Sequence, residues 1–145
     1  KPCNMFVAGF IGSPQMNFID ATVVKEGGEL FLEYGDHHRV ILTPERATKL
    51  ADYVGREVTF GIRPEDVHDS QAFISNSPDS VIESTIKVYE LLGAEVFLYF
   101  DLEGTQMTAR VNPRTTLRTG DHAVFALDME KIHLFDKDTE LTITN

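Results

Sequence analysis

Over most of Met16–Leu127 the apolar residues fall at alternate positions, and glycines cut the pattern into short runs. A period of two is the signature of strands that bury one face. Ile19, Ala21 and Val23 alternate with Asp20 and Thr22. Gly27-Gly28 then turns the chain into Leu30, Leu32 and Tyr34, and Gly35-Asp36 turns it again into Val40 and Leu42. This predicts a three-stranded meander. Val58, Phe60 and Ile62 alternate with Glu57, Thr59 and Gly61. Residues 81–92, 95–102, 106–111 and 122–127 read as four more strands, punctuated by Gly93, Gly104 and Gly120. A polar stretch over 68–80, rich in Ser, Asp and Asn with Pro78, reads as a loop.

Two segments depart from this period. In residues 2–12, Phe6, Val7, Phe10 and Ile11 form one apolar stripe at helical spacing. Pro2 suits a first turn, Gly12 a stop, and Pro14 blocks continuation. So short a helix needs a surface to dock on. The second helix begins at Thr43 as N-cap, with Pro44 at the first position and Glu45 at the positive end. Ala47, Leu50, Ala51 and Val54 recur at i, i+3, i+4 and i+7, and Gly55 ends the run. The fold class expected is mainly β: a small closed barrel of the oligonucleotide/oligosaccharide-binding (OB) type, with a preceding meander, a short N-terminal helix and one internal helix.

The 145 residues suit one compact domain, or two small β-subdomains sharing a core. Lys1 stands where an initiator Met would, as in a processed chain or one excised from something longer. No apolar run approaches the roughly 18–20 residues that cross a bilayer, and the start lacks the flanks of a signal peptide. A single cysteine, Cys3, rules out an internal disulfide framework and fits a reducing, cytoplasmic compartment. There are 13 Lys and Arg against 23 Asp and Glu, a formal net charge of −10, so phosphate backbones and anionic lipids repel this chain. No nucleic-acid partner is expected, because the aromatics alternate within strands and lack basic neighbours.

Catalytic signatures are missing from the sequence. No Gly is followed by Lys, there is no GxGxxG, and no phosphate-binding loop can be drawn. No Gly-x-Ser-x-Gly elbow is present. The five histidines offer no helical i+4 pair; His37 and His38 point to opposite strand faces, and His68, His122 and His133 stand alone. Neither a catalytic residue, a metal site nor a cofactor site is therefore expected in this chain. Glu65-Asp66 and Asp128 with Glu130 are acid pairs that read as solvated turn residues.

Three stretches carry a family resemblance. The first runs Pro2-Cys3-Asn4-Met5-Phe6-Val7-Ala8-Gly9-Phe10-Ile11-Gly12-Ser13-Pro14-Gln15-Met16-Asn17-Phe18. The second is Gly61-Ile62-Arg63-Pro64-Glu65. The third is Ile132-His133-Leu134-Phe135-Asp136, after Phe125-Ala126-Leu127-Asp128. In this order they resemble the C-terminal regulatory region of sugar-importer ATP-binding subunits, the maltose, multiple-sugar and glycerol-3-phosphate type of ABC transporter ATPase. Val88-Tyr89-Glu90-Leu91-Leu92-Gly93-Ala94-Glu95 fits the same region.

The resemblance implies residues 1–14 as a connecting helix and linker from an ATPase domain, and 15–145 as a regulatory OB-type domain. ATP and Mg would belong to that ATPase domain. It implies a second copy of the subunit as partner, permease subunits reached through the ATPase domain, a cytoplasmic regulatory protein, and a place on the cytoplasmic face of the membrane. Phe6, Val7, Phe10 and Ile11 become an interdomain or self-association contact. Arg63, Pro64 and Glu65 form a structural turn, with Arg63 and Glu65 available for charge-assisted hydrogen bonds. Leu134 and Phe135 are a hydrophobic anchor for the last strand. The function implied is regulation and dimerisation without catalysis. The alternative is a small-ligand module for an oxyanion or sugar-related compound, which the scarcity of basic clusters disfavours.

Overall fold

The computed structural model describes residues 15–144, and the stripe Phe6, Val7, Phe10 and Ile11 lies outside them. The alternating segments form strands as expected. β1 (Asn17–Glu26), β2 (Glu29–Tyr34) and β3 (His38–Ile41) make the meander. Gly27 and Gly28 have φ of 61° and 84°, the paired left-handed conformation that closes a two-residue hairpin. β4 (Glu57–Ile62) pairs antiparallel with the other edge of β1. The chain then leaves this sheet. β5 (Val67–His68), β6 (Val81–Leu92), β7 (Glu95–Leu102), β8 (Thr105–Val111) and β9 (His122–Leu127) build a second sheet in the order β5-β9-β6-β7-β8. β10 (His133–Asp136) and β11 (Thr142–Thr144) return to the first, which runs β11-β10-β4-β1-β2-β3.

The two sheets bury one continuous core. Ile19, Val23, Leu32, Phe60 and Ile62 from the first meet Ile86, Leu98, Phe100 and Phe125 from the second. The Phe100 and Phe125 rings stack at 4.7 Å within it. β4 departs from simple alternation, because Thr59 and Gly61 are buried as well as Val58, Phe60 and Ile62. On that outer face Met16 and Phe135 form a second small apolar cluster with Phe18, whose ring meets Phe135 edge-on at 6.0 Å. Alternation along one strand shows a single buried face; only the neighbours reveal the second.

The internal helix is shorter than its sequence pattern. α1 (Pro44–Lys49) starts as expected, with the Thr43 hydroxyl accepting from Arg46 N at 3.4 Å. It tightens into a 3-10 turn over Ala51–Tyr53, which rotates the stripe away from the core. Leu50 stays fully buried, while Ala51 and Val54 are exposed. The polar stretch 68–80 also contains a helix that the composition concealed. α2 (Gln71–Ser75) is capped by Ser70, whose Oγ accepts from Phe73 N.

Candidate functional site

The chain crosses between the sheets twice, and the two crossings lie side by side. Outbound, β4 ends at Ile62 and Arg63 is extended; Pro64 then opens a 3-10 turn over Pro64–Asp66. Asp66 N donates to Arg63 O at 2.9 Å, and Val67 N to Pro64 O. Backbone bonds hold this turn: among the described residues no ion pair or hydrogen bond joins the Arg63 and Glu65 side chains. Pro64 is buried, Arg63 half-buried and Glu65 exposed. Inbound, β9 ends at Leu127, and Lys131 N donates to Asp128 O before β10 begins. Arg46 of α1, itself buried, reaches across to this return, where its guanidinium donates to Ile132 O at 3.3 and 3.1 Å. Leu134 and Phe135 follow, both fully buried, Leu134 in the main core and Phe135 in the outer cluster.

The register of β5 on β9 places a polar cluster where the crossings meet. Val67 opposes Leu127 and His68 opposes Ala126. One step on, Asp66 faces Asp128, and Asp128 N donates to Asp66 O at 3.0 Å. Asp66 closes the 3-10 turn and His68 ends the two-residue strand that follows it. Donor atoms of Asp66, His68 and Asp128 all lie within 4.8 Å of one another. The Asp66 side chain is 10% exposed, and its nearest cation is Lys131 Nζ at 3.9 Å. Lys131 also stands 4.0 Å from Asp128 Oδ2, and is itself 64% exposed. Burial pushes the Asp66 carboxyl above its ordinary range; Lys131 and His68 oppose this, while Glu65 and Asp128 add to it. The His68 ring stacks on Phe73 of α2 at 4.1 Å. His68 Nε2 is buried without a hydrogen-bond partner among the described residues.

An open cleft of about 400 Å³ adjoins the cluster, lined by Phe73, Asn76, Pro78, Asp128, Met129 and Glu130 among others. Its charge suits a cation and repels an anion. From sequence the acid pairs read as solvated turn residues and His68 as a surface or partly buried imidazole, with nothing to connect them. Asp66 is a buried carboxylate rather than a solvated turn residue. The closeness of Asp66 and His68 in sequence, just after the Pro64 turn, was the available local signal. Their third neighbour, Asp128, becomes visible only once β9 lies beside β5.

Comparison with known proteins matches two family models in tandem: the MalK OB fold domain over residues 12–67, and the TOBE domain over residues 76–134. The boundary between them falls just beyond the outbound crossing. The oligosaccharides import ATP-binding protein MsmX of Bacillus subtilis is 38% identical over 98% of the chain. The trehalose/maltose import ATP-binding protein MalK of Thermococcus litoralis is 39% identical over 96%. The multiple sugar-binding transport ATP-binding protein MsmK of Streptococcus mutans is 38% identical over 99%. The chain spans only 37–38% of the length of these relatives. Among solved structures, the cytoplasmic molybdate-binding protein ModG with molybdate bound superposes with a TM-score of 0.64, covering 81% of this chain and 94% of that one. At 21% identity that likeness concerns the fold alone. β1–β4 lie within the MalK OB fold match and β6–β9 within the TOBE match, and the chain belongs to the MalK-type OB fold and TOBE domain families.

Proposed function

We propose that this chain is the regulatory and dimerisation module of the ATP-binding subunit of a carbohydrate importer, without catalytic activity of its own. The supporting observation is the continuous alignment of 96–99% of the chain with subunits named for sugar import and ATP binding. The sequence itself has no phosphate-binding loop. In this reading ATP and Mg are handled by a separate ATPase domain, and that domain also engages the permease on the cytoplasmic face of the membrane. No helix among the described residues is long and apolar enough to cross it. The partners of the module are a second copy of the subunit and a cytoplasmic regulatory protein. The stripe Phe6, Val7, Phe10 and Ile11 serves as the interdomain or self-association contact, and Phe10→Asp should shift a dimer towards monomer in sedimentation.

A chimera tests the reading. This chain replaces the matching stretch of the Bacillus subtilis MsmX relative, and oligosaccharide uptake is measured. Retained uptake supports the assignment. A chimera that accumulates and hydrolyses ATP normally but imports nothing overturns it.

A further inference from the structure

We propose that Asp66, His68 and Asp128 form a binding site for a divalent first-row transition-metal ion of the zinc class. Like charges held close repel, yet Asp128 N donates to Asp66 O and the two side chains bring carboxylate oxygens within 4.8 Å of each other. The Asp66 side chain is nine-tenths buried, with Lys131 Nζ 3.9 Å from its Oδ1. The third member contributes an imidazole, and His68 Nε2 is buried and unpaired. A buried polar group without a partner is uncommon, and one common explanation is an ion.

The donor set is one nitrogen and two carboxylate oxygens. Zinc-class ions accept that mixture, whereas calcium and magnesium prefer oxygen alone. Bonds of about 2.0–2.2 Å in a tetrahedron place donors roughly 3.4 Å apart. The three donors, all within 4.8 Å of one another, need only small side-chain rotations to close on an ion. Asp128 Oδ1 accepts from Glu130 N at 3.2 Å, which orients the carboxylate and leaves Oδ2 for the ion. The adjoining cleft offers water to a fourth position. Lys131 is the opposing charge. Its ammonium stands beyond hydrogen-bond distance of both carboxylates and is largely in solvent, so it can swing away. An ion held here ties the outbound crossing to the inbound one.

The test is titration of the chelator-treated full chain with Zn²⁺ by calorimetry, with the visible spectrum of the Co²⁺ form as a second readout. One bound equivalent is expected. His68→Ala and Asp128→Asn should each weaken it at least ~10-fold. Lys131→Met should tighten it. His122→Ala, which removes an exposed imidazole paired with Glu83, should leave it unchanged. Asp128→Asn keeps the side-chain shape and the Glu130 hydrogen bond, so it separates lost ligation from lost folding. Without metal this variant should melt no lower than the parent; with Zn²⁺ the parent should melt higher. Absence of saturable Zn²⁺ binding overturns the proposal. So does a site that survives both His68→Ala and Asp128→Asn, or one that disappears with His122→Ala.

Discussion

Asn17 pairs with Thr108 as one strand pairs with another: its Nδ2 donates to Thr108 O at 2.9 Å, and its Oδ1 accepts from Thr108 N at 2.8 Å. The same Nδ2 also donates to Ile62 O at 3.1 Å. A side-chain amide from the first sheet thus satisfies the outer edge of β8, an end strand of the second. Edge strands with free N–H and C=O groups invite other chains, and this amide closes part of one. It is also a direct tie between the two sheets.

Asn17→Ala should therefore destabilise the chain by about 2–4 kcal/mol, from lost hydrogen bonds and unsatisfied backbone groups. Urea unfolding checks the magnitude. Asn17→Asp should do worse, because a carboxylate cannot donate to Ile62 O or Thr108 O. A loss below about 0.5 kcal/mol for Asn17→Ala, the range of ordinary surface changes, would show that the tie carries no weight.

Gly61 is a close-approach glycine inside β4. A Cβ built there would overlap Met16 Sδ and sit 3.2 Å from Met16 Cγ and 3.3 Å from Phe18 Cε1. Gly61→Ala should cost about 1–3 kcal/mol, the usual range for overpacking. Met16→Ala vacates the space, so the double variant should be more stable than the sum of the two single losses. A cycle that adds within about 0.5 kcal/mol would place the strain elsewhere.

The strands, hairpin turns and the Thr43-Pro44 helix start were legible because period, paired glycines and cap chemistry are local. The helix α2 hid in a Ser- and Asn-rich stretch, where Ala72, Phe73 and Ile74 were the apolar hints. The return of β10 to β4 was not legible, since alternation fixes a strand's buried face and not its neighbour. The Asn17 tie and the Asp66–His68–Asp128 cluster share that difficulty. In each, the chemistry is made by residues far apart in the chain and brought together by sheet pairing. Arg63-Pro64 and Asp128, which lie in the stretches that carry the resemblance, fall on the two crossings. The Gly61–Glu65 motif does not reveal that Asp66, the residue after it, is buried.

Asp136 sets an acid limit on stability. Thr139 N and Tyr53 Oη donate to its carboxylate, as does Asp138 N, and Arg56 lies nearby; together they hold the group below its ordinary value of 3.8. The contribution is complete above that unfolded value and is lost as pH falls through the lower folded one. Asp136→Asn should flatten the decline of the urea midpoint below about pH 4. Tyr53→Phe, which removes one donor, should flatten it partially. An unchanged acid limb in Asp136→Asn would assign the decline to other carboxylates, Asp20 with its Lys137 and Thr59 partners first among them.

Neither Mg·ATP nor molybdate should give saturable heat with this chain. The first lacks a phosphate-binding loop here. The second meets a net charge of −10 and an acidic crossing. Saturable molybdate binding would restore the oxyanion reading, and saturable ATP binding would remove the assignment of ATP to another domain.

Arg46 provides the last prediction. It is 7% exposed, in a helix of six residues, and its guanidinium donates from Nε and Nη2 to one acceptor, Ile132 O. That carbonyl stands at the end of the inbound crossing, so the bond fixes where β10 joins β4. Arg46→Met keeps the apolar stem and removes both donors, leaving Ile132 O unsatisfied beside the core. The expected cost is about 1.5–3 kcal/mol, the range for hydrogen bonds to charged groups. Arg46→Lys keeps the charge but not the planar fork, and should recover only part of the loss. Thr43→Ala, which removes the helix cap, should cost about 0.5–2 kcal/mol by a different route. Hydrogen exchange separates the two. Arg46→Met should speed exchange in β10 and β11 more than in α1, and Thr43→Ala should do the reverse. If both variants loosen only α1, Arg46 acts on its own helix and the return crossing is held by the core alone.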